Sequence, residues 1–186
     1  WRARLAEHLG GYNVELMEAH GARALDDPRA LAAIGMLGEL VKLLPERDPH
    51  PELYATTLHV LRSFAEPDIW PALLVYWEMQ PVQVIGFGLV LTSCAATGSI
   101  EELVYVSPKS GRAVSREAGA PYADKMLALP QFLIDSSAKL APSDIVAGFG
   151  LTGFFLERDA LAPHGLKFPD ARERLLDLLR REAHAA

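Results

Sequence analysis

Four positions between residues 94 and 118 have the spacing of a zinc ribbon and the wrong chemistry for one. A four-cysteine ribbon takes Cys-x2-Cys twice, about 15–20 residues apart, usually with a small residue closing each turn. Here Cys94 and Thr97 stand at the first pair, Ser115 and Ala118 at the second, and Gly98 and Gly119 follow them. Only Cys94 offers a thiolate. One thiolate does not hold zinc, and no His between residues 60 and 163 replaces the missing ligands. The expectation is a knuckle that keeps its fold and binds no metal. Cys94 is also the single cysteine, which rules out an internal disulfide and suits a reducing cytoplasm.

A second pattern, Gly148-Phe-Gly150-Leu-Thr-Gly153, is literally G-x-G-x-x-G. In a dinucleotide-binding unit it follows a strand, opens a helix and seats a pyrophosphate on the helix N-terminus. Asp144–Ala147 makes a very short preceding strand, and the residues after Gly153 read as helix rather than as alternating βαβ units. The reading adopted is a helix whose glycines let a neighbouring helix approach closely, at a cost in propensity of about 1 kcal/mol each. A Rossmann-type enzyme built on Gly148–Gly153 is the alternative. The six histidines (8, 20, 50, 59, 164 and 184) show no metal spacing, and no serine sits in a G-x-S-x-G elbow. No catalytic group and no cofactor is predicted.

The remaining candidates are basic. Lys109, Arg112, Arg116 and Lys125 lie in or just after the ribbon, offset by Glu117 and Asp124, with Tyr105 and Tyr122 beside them as possible stacking surfaces for single strands. Either this is an ordinary solvated hairpin, or the 107–111 loop presents Lys109 and Arg112 to phosphate or to an acidic partner. A second basic group, Lys167, Arg172, Arg174, Arg180 and Arg181, is laced with Asp170, Glu173, Asp177 and Glu182 and reads as a solubilising helix face.

Gly86-Phe-Gly-Leu89, Cys94-Ala-Ala-Thr-Gly98 and Tyr105-Val-Ser-Pro-Lys-Ser-Gly-Arg112 together resemble the bacterial DNA repair family RecO. The resemblance implies an N-terminal OB-fold followed by a helical domain interrupted by a ribbon. It also implies a role as a non-enzymatic recombination mediator, acting with RecR in recombinase loading and annealing. Single-stranded DNA would be bound mainly through the OB-fold, and the C-terminal tail of single-strand DNA-binding protein by the helical domain. Residues 1–18 are then the last OB-fold strand and its exit, 19–186 the helical domain, and 90–122 the ribbon insertion.

The elements that must position these groups are mostly helical. Trp1–Leu16 alternates apolar and polar residues on both sides of Gly10-Gly11, which suggests strand, turn, strand. Asp27-Pro28 starts a helix carrying Leu31, Ile34, Leu37, Leu40, Val41 and Leu44 until Pro45. A second helix runs from Pro51 to about Phe64, with Tyr54, Leu58, Leu61 and Phe64 inward. A third starts near Asp68, buries Leu73, Tyr76, Trp77 and Val84, and is expected to kink or stop at Pro81. Leu103–Val106 and Arg112–Val114 form the hairpin, and Pro130–Ile134 a short turn. Ser143 and Asp144 cap a helix running to about Leu161. The last helix starts around Pro169, with Asp170–Arg174 and Asp177–Arg181 as acid-first pairs. The fold predicted is mainly α: a bundle-like helical domain with one small β-hairpin, the degenerate ribbon.

With 186 residues, half of them apolar, the chain can build one medium-sized core, and no run approaches the roughly 18 apolar residues of a membrane span. The net charge of −6 weighs against strong nucleic-acid binding by this chain alone, so any DNA-binding face has to be a local patch. A helical interaction scaffold unrelated to DNA is the third class that the composition allows.

Overall fold

The computed structural model describes residues 2, 10, 11 and 13–185. Among them, six α-helices and three short strands are formed: α1 Pro28–Leu40, α2 Pro51–Arg62, α3 Trp70–Val84, β1 Leu103–Val106, β2 Ala113–Ser115, α4 Arg116–Gly119, β3 Leu127–Ala128, α5 Pro142–Leu156 and α6 Asp170–Ala185. The fold is mainly α with a small antiparallel sheet, as its apolar periodicity predicts. Most of the strand-turn-strand expected at the N-terminus falls outside the described residues. Within them, Arg2 and Gly11 form an antiparallel bridge, Gly10 has φ +67°, and residues 13–19 form no regular element.

α1 begins as the sequence dictates. The Asp27 carboxylate accepts a hydrogen bond from the Arg29 backbone N–H at 2.8 Å, and Pro28 fills the first helical position, where a missing N–H costs nothing. Ala30, Ala33, Met36, Leu37 and Leu40 face inward, and a 3-10 turn continues the helix over Val41–Leu43. Gly35 lets α6 in: an added Cβ would meet the Ala171 methyl at 3.0 Å. In α2 the inward residues are Leu53, Val60 and, just beyond its end, Phe64. Tyr54, expected inside, is exposed.

α3 is the central helix. Apart from Glu78, its fifteen residues carry no charge, and apolar groups surround the axis rather than forming one stripe, which marks a helix buried on most sides. Trp70, Leu74, Val75, Trp77 and Val82 are buried, whereas Tyr76 and Val84, expected inside, are on the surface. The Trp77 indole N–H donates to Thr57 Oγ1 at 2.7 Å, which ties α3 to α2 and satisfies the one polar atom of a large buried ring. The helix does not stop at Pro81 but runs on to Val84. Pro81 lies in the last turn and is itself buried, so its missing N–H removes one ladder bond while its ring adds packing.

α5 packs between α3 and α6, and the G-x-G-x-x-G lies wholly inside it with no strand before it. Ala141 is the residue at the helix start, and the Asp144 carboxylate accepts from its N–H at 3.1 Å, so Asp144 caps as expected and Ser143 does not. A Cβ on Gly148 would come within 2.9 Å of Val75 Cγ1, and one on Gly153 within 2.5 Å of Arg172 Nη2. Gly150 faces open space. Two of the three glycines therefore serve close helix packing, and the dinucleotide reading fails on its missing strand. α5 ends at Leu156, short of Leu161, and gives way to one wide i→i+5 turn over Glu157–Leu161.

α6 corrects the surface reading of its charges. Arg172 is buried, Arg29 of α1 reaches Glu182 at 2.7 Å, and Asp177 pairs with Arg180 at 3.3 Å rather than with Arg181. Arg172 Nε donates to Glu78 Oε1 at 2.6 Å and Nη2 to Glu78 Oε2 at 3.0 Å and to the Phe149 carbonyl at 2.9 Å. The Thr152 hydroxyl donates to Glu78 Oε2 as well. The guanidinium lies over Phe168 at 4.1 Å and near Phe149 at 5.8 Å. One buried ion pair thus joins α3, α5 and α6.

Candidate nucleic-acid interface

The ribbon is built on β1, which pairs antiparallel with β2 (Tyr105 opposite Val114, Val106 opposite Ala113) and on its other side with β3 (Tyr105 opposite Ala128, Val106 opposite Leu127). β3 was not expected; two residues are too few for a periodic signal. The loop turns back at Gly111, φ +66°, with Gly111 N–H donating to the Ser107 carbonyl and Ser107 N–H to the Arg112 carbonyl, both at 2.9 Å. Val90 lies alongside: its N–H donates to Gly111 O at 3.0 Å and its carbonyl accepts from Ala113 N–H at 2.9 Å.

The degenerate knuckle closes around the Cys94 sulfur. Gly98 turns it with φ +75°, Gly98 N–H donates to the Cys94 carbonyl at 2.9 Å, and Cys94 is fully buried. Its Sγ accepts from Ser115 N–H at 3.3 Å and from the Ser115 hydroxyl at 3.4 Å. Burial pushes the Cys94 thiol up, but the hydrogen bonds from Ser115 and Thr97 outweigh it and bring the pKa from 9.0 down to about 6. Ser115 has both its N–H and its hydroxyl on the sulfur, Thr97 Oγ1 accepts from Ser99 N–H at 3.3 Å, and Ala118 packs its methyl against the core. A donor set of one cysteine sulfur, two hydroxyls and a methyl does not fit zinc.

This geometry has a pH consequence. A thiol whose folded pKa lies below its unfolded one adds stability that is complete above pH 9.0 and lost as pH falls through about 6. Cys94→Ala should therefore fold, cost about 1 kcal/mol of packing near pH 6, and fall further behind the parent as pH rises to 9. Urea melts of both proteins across that range check it. Parallel stability profiles would contradict the thiolate, and stoichiometric zinc lost with Cys94 would contradict the metal-free knuckle.

Among the sequence-predicted contact residues, Lys109, Arg112, Arg116 and Lys125 are all exposed. Lys109, Arg112 and Lys125 make no ion pair among the described residues, and Arg116 has only a loose one, 3.7 Å to the exposed Glu102. Tyr105 is half-buried. Its ring lies against Gly119, where an added Cβ would come within 2.4 Å, so one face is closed to a base. Gly119 itself has φ −86° and serves this close approach rather than a left-handed turn. Tyr122 is the more open ring.

Sequence reasoning missed the residue that seats this loop. Arg158, in the wide turn after α5, donates from Nη1 to the Pro108 carbonyl and grips Asp159 through Nε at 2.5 Å and Nη2 at 2.6 Å. Its guanidinium stacks over Phe155 at 4.8 Å, and Phe155 in turn lies beneath Gly111. No spacing rule announces such a contact, because its partner is a backbone carbonyl fifty residues away.

A helical domain carrying a degenerate ribbon, with a basic loop that makes no ion pair among the described residues, is the class that fold and site define. The chain belongs to the RecO family of DNA repair proteins: the family model "Recombination protein O C terminal" matches residues 25–167. The "DNA repair protein RecO" of Beijerinckia indica is 49% identical over 178 residues, 95% of this chain and 71% of that protein. Those of Bartonella tribocorum and Bartonella henselae are 47% and 49% identical, covering 97% and 96% of this chain and 73% and 70% of theirs. No solved structure matches. Among the described residues, no helix is long and apolar enough to cross a membrane.

Proposed function

We propose that this chain is a recombination mediator in DNA repair. It helps displace single-strand DNA-binding protein, anneals complementary strands and loads recombinase together with a RecR-like partner, without covalent chemistry of its own. The observation that carries this reading is family membership over almost the whole chain, at 47–49% identity to relatives named as DNA repair proteins. In this reading residues 1–18 lead out of an N-terminal OB-fold that makes the main contact with single-stranded DNA. The helical domain takes the acidic tail of single-strand DNA-binding protein, the protein works in the bacterial cytoplasm at the nucleoid, and the 107–112 loop is an auxiliary contact to phosphate.

The loop suits that auxiliary role physically. Lys109 and Arg112 are exposed and make no ion pair among the described residues, on a turn whose shape Pro108 and Gly111 fix, in a chain whose net charge of −6 leaves no general attraction for DNA. The test is annealing of complementary strands coated with single-strand DNA-binding protein, followed by fluorescence quenching. The full-length protein should accelerate annealing, and a RecR-like partner should alter the rate. No acceleration by the full-length protein would overturn the mediator reading and favour an interaction scaffold unrelated to DNA.

A further inference from the structure

Arg158 lies outside the loop, yet it is the side chain that fastens the loop to the helical body. Its three hydrogen-bonding nitrogens are all engaged, two on Asp159 and one on the Pro108 carbonyl, the backbone group immediately before Lys109. Asp159 is almost fully buried, so the fork that holds Arg158 is itself fixed. Phe155 supports the guanidinium from below and touches the space at Gly111, so both ends of the 108–111 turn rest on the same few side chains. Arg158 and Asp159 both lie in the wide turn Glu157–Leu161 that follows α5.

We propose that Arg158 is a positioning residue. By holding the Pro108 carbonyl it pre-orders the loop, so that Lys109 and Arg112 meet phosphates without first losing freedom. This rests on the loop reading above. The positive charge of Arg158 is spent on Asp159, so its contribution to binding is geometric and not a phosphate contact of its own.

The decisive variant is Arg158→Lys, which keeps the charge and loses the planar fork. Full-length protein is titrated with fluorescent single-stranded oligonucleotide at several salt concentrations, with a melting curve as control and amide exchange followed at Gly111. Arg158→Lys should weaken binding about 3- to 10-fold, the cost of ordering one loop on association, and leave the salt slope unchanged. The Gly111 amide should exchange faster. Asp159→Asn, which loosens the same fork from the other side, should likewise weaken binding and speed Gly111 exchange, and covers the case in which Arg158→Lys folds poorly. Parent-like affinity together with parent-like exchange in both variants would overturn the proposal. A slope lowered by about 0.7 in Arg158→Gln, which removes the charge, would make Arg158 a direct phosphate contact and overturn it too. Parent-like binding by Lys109→Glu/Arg112→Glu would remove the loop reading itself; with that double variant impaired and Arg158→Lys parent-like, only the positioning role falls.

Discussion

Arg172→Ala is expected to cost about 3–5 kcal/mol of stability, because it strands the Glu78 carboxylate in the core. Glu78 has no exposed surface, and Arg172 is its charged partner, donating at 2.6 Å to one oxygen and 3.0 Å to the other. The Thr152 hydroxyl remains after the change but is neutral, and the Phe149 carbonyl loses its donor as well. A loss of that size is a large fraction of the 5–15 kcal/mol that ordinary domains have. Replacing both charges by apolar groups of similar volume, Glu78→Leu with Arg172→Met, should recover most of the loss, since the burden lies in the unpaired charge rather than in the missing pair. Urea melts of parent, single and double variants form the cycle. A single variant within 1 kcal/mol of the parent would mean that water reaches Glu78.

The same pair shows what a one-dimensional reading misses. Asp170, Glu173, Asp177 and Glu182 interleave with the arginines of α6, and interleaved charges ordinarily mean a solvated face, so Arg172 looked like its neighbours. The usable signal was elsewhere: Glu78 is the only charge in the fifteen residues of α3, and a lone acid in a buried helix demands a base. Joining the two needs the tertiary fold. The sequence reads Gly153 as a point of close helix approach, and the fold supplies what approaches: it is the gap through which Arg172 passes. The legible parts were local. Asp27-Pro28 announced α1, Pro108 and Gly111 announced the hairpin, and the Cys94, Thr97 and Ser115 spacing announced a knuckle that does close on itself. What Arg158 does was illegible, because a side chain bonded to a remote carbonyl leaves no pattern in sequence.

Lys109→Glu with Arg112→Glu is expected to weaken single-stranded DNA binding about tenfold or more at 0.15 M salt and to lower the log–log salt slope by about 1.4. That follows if each residue neutralises one phosphate of a single strand, releasing roughly 0.7 counterions per contact. The charge reversal adds repulsion, so the tenfold figure is a lower bound on the affinity change and the slope is the cleaner count. Both side chains are exposed, neither joins the apolar face of the sheet, and Gly111 and Pro108 still set the turn. The melting temperature should therefore stay within the small range of surface substitutions. The same titration with a peptide of the acidic tail of single-strand DNA-binding protein separates two uses of the loop. Loss for DNA alone assigns it to phosphate, and loss for the peptide alone assigns it to the protein partner. Unchanged affinity and slope for both ligands would make the loop a solvated turn and return the contact to the helices or to an OB-fold.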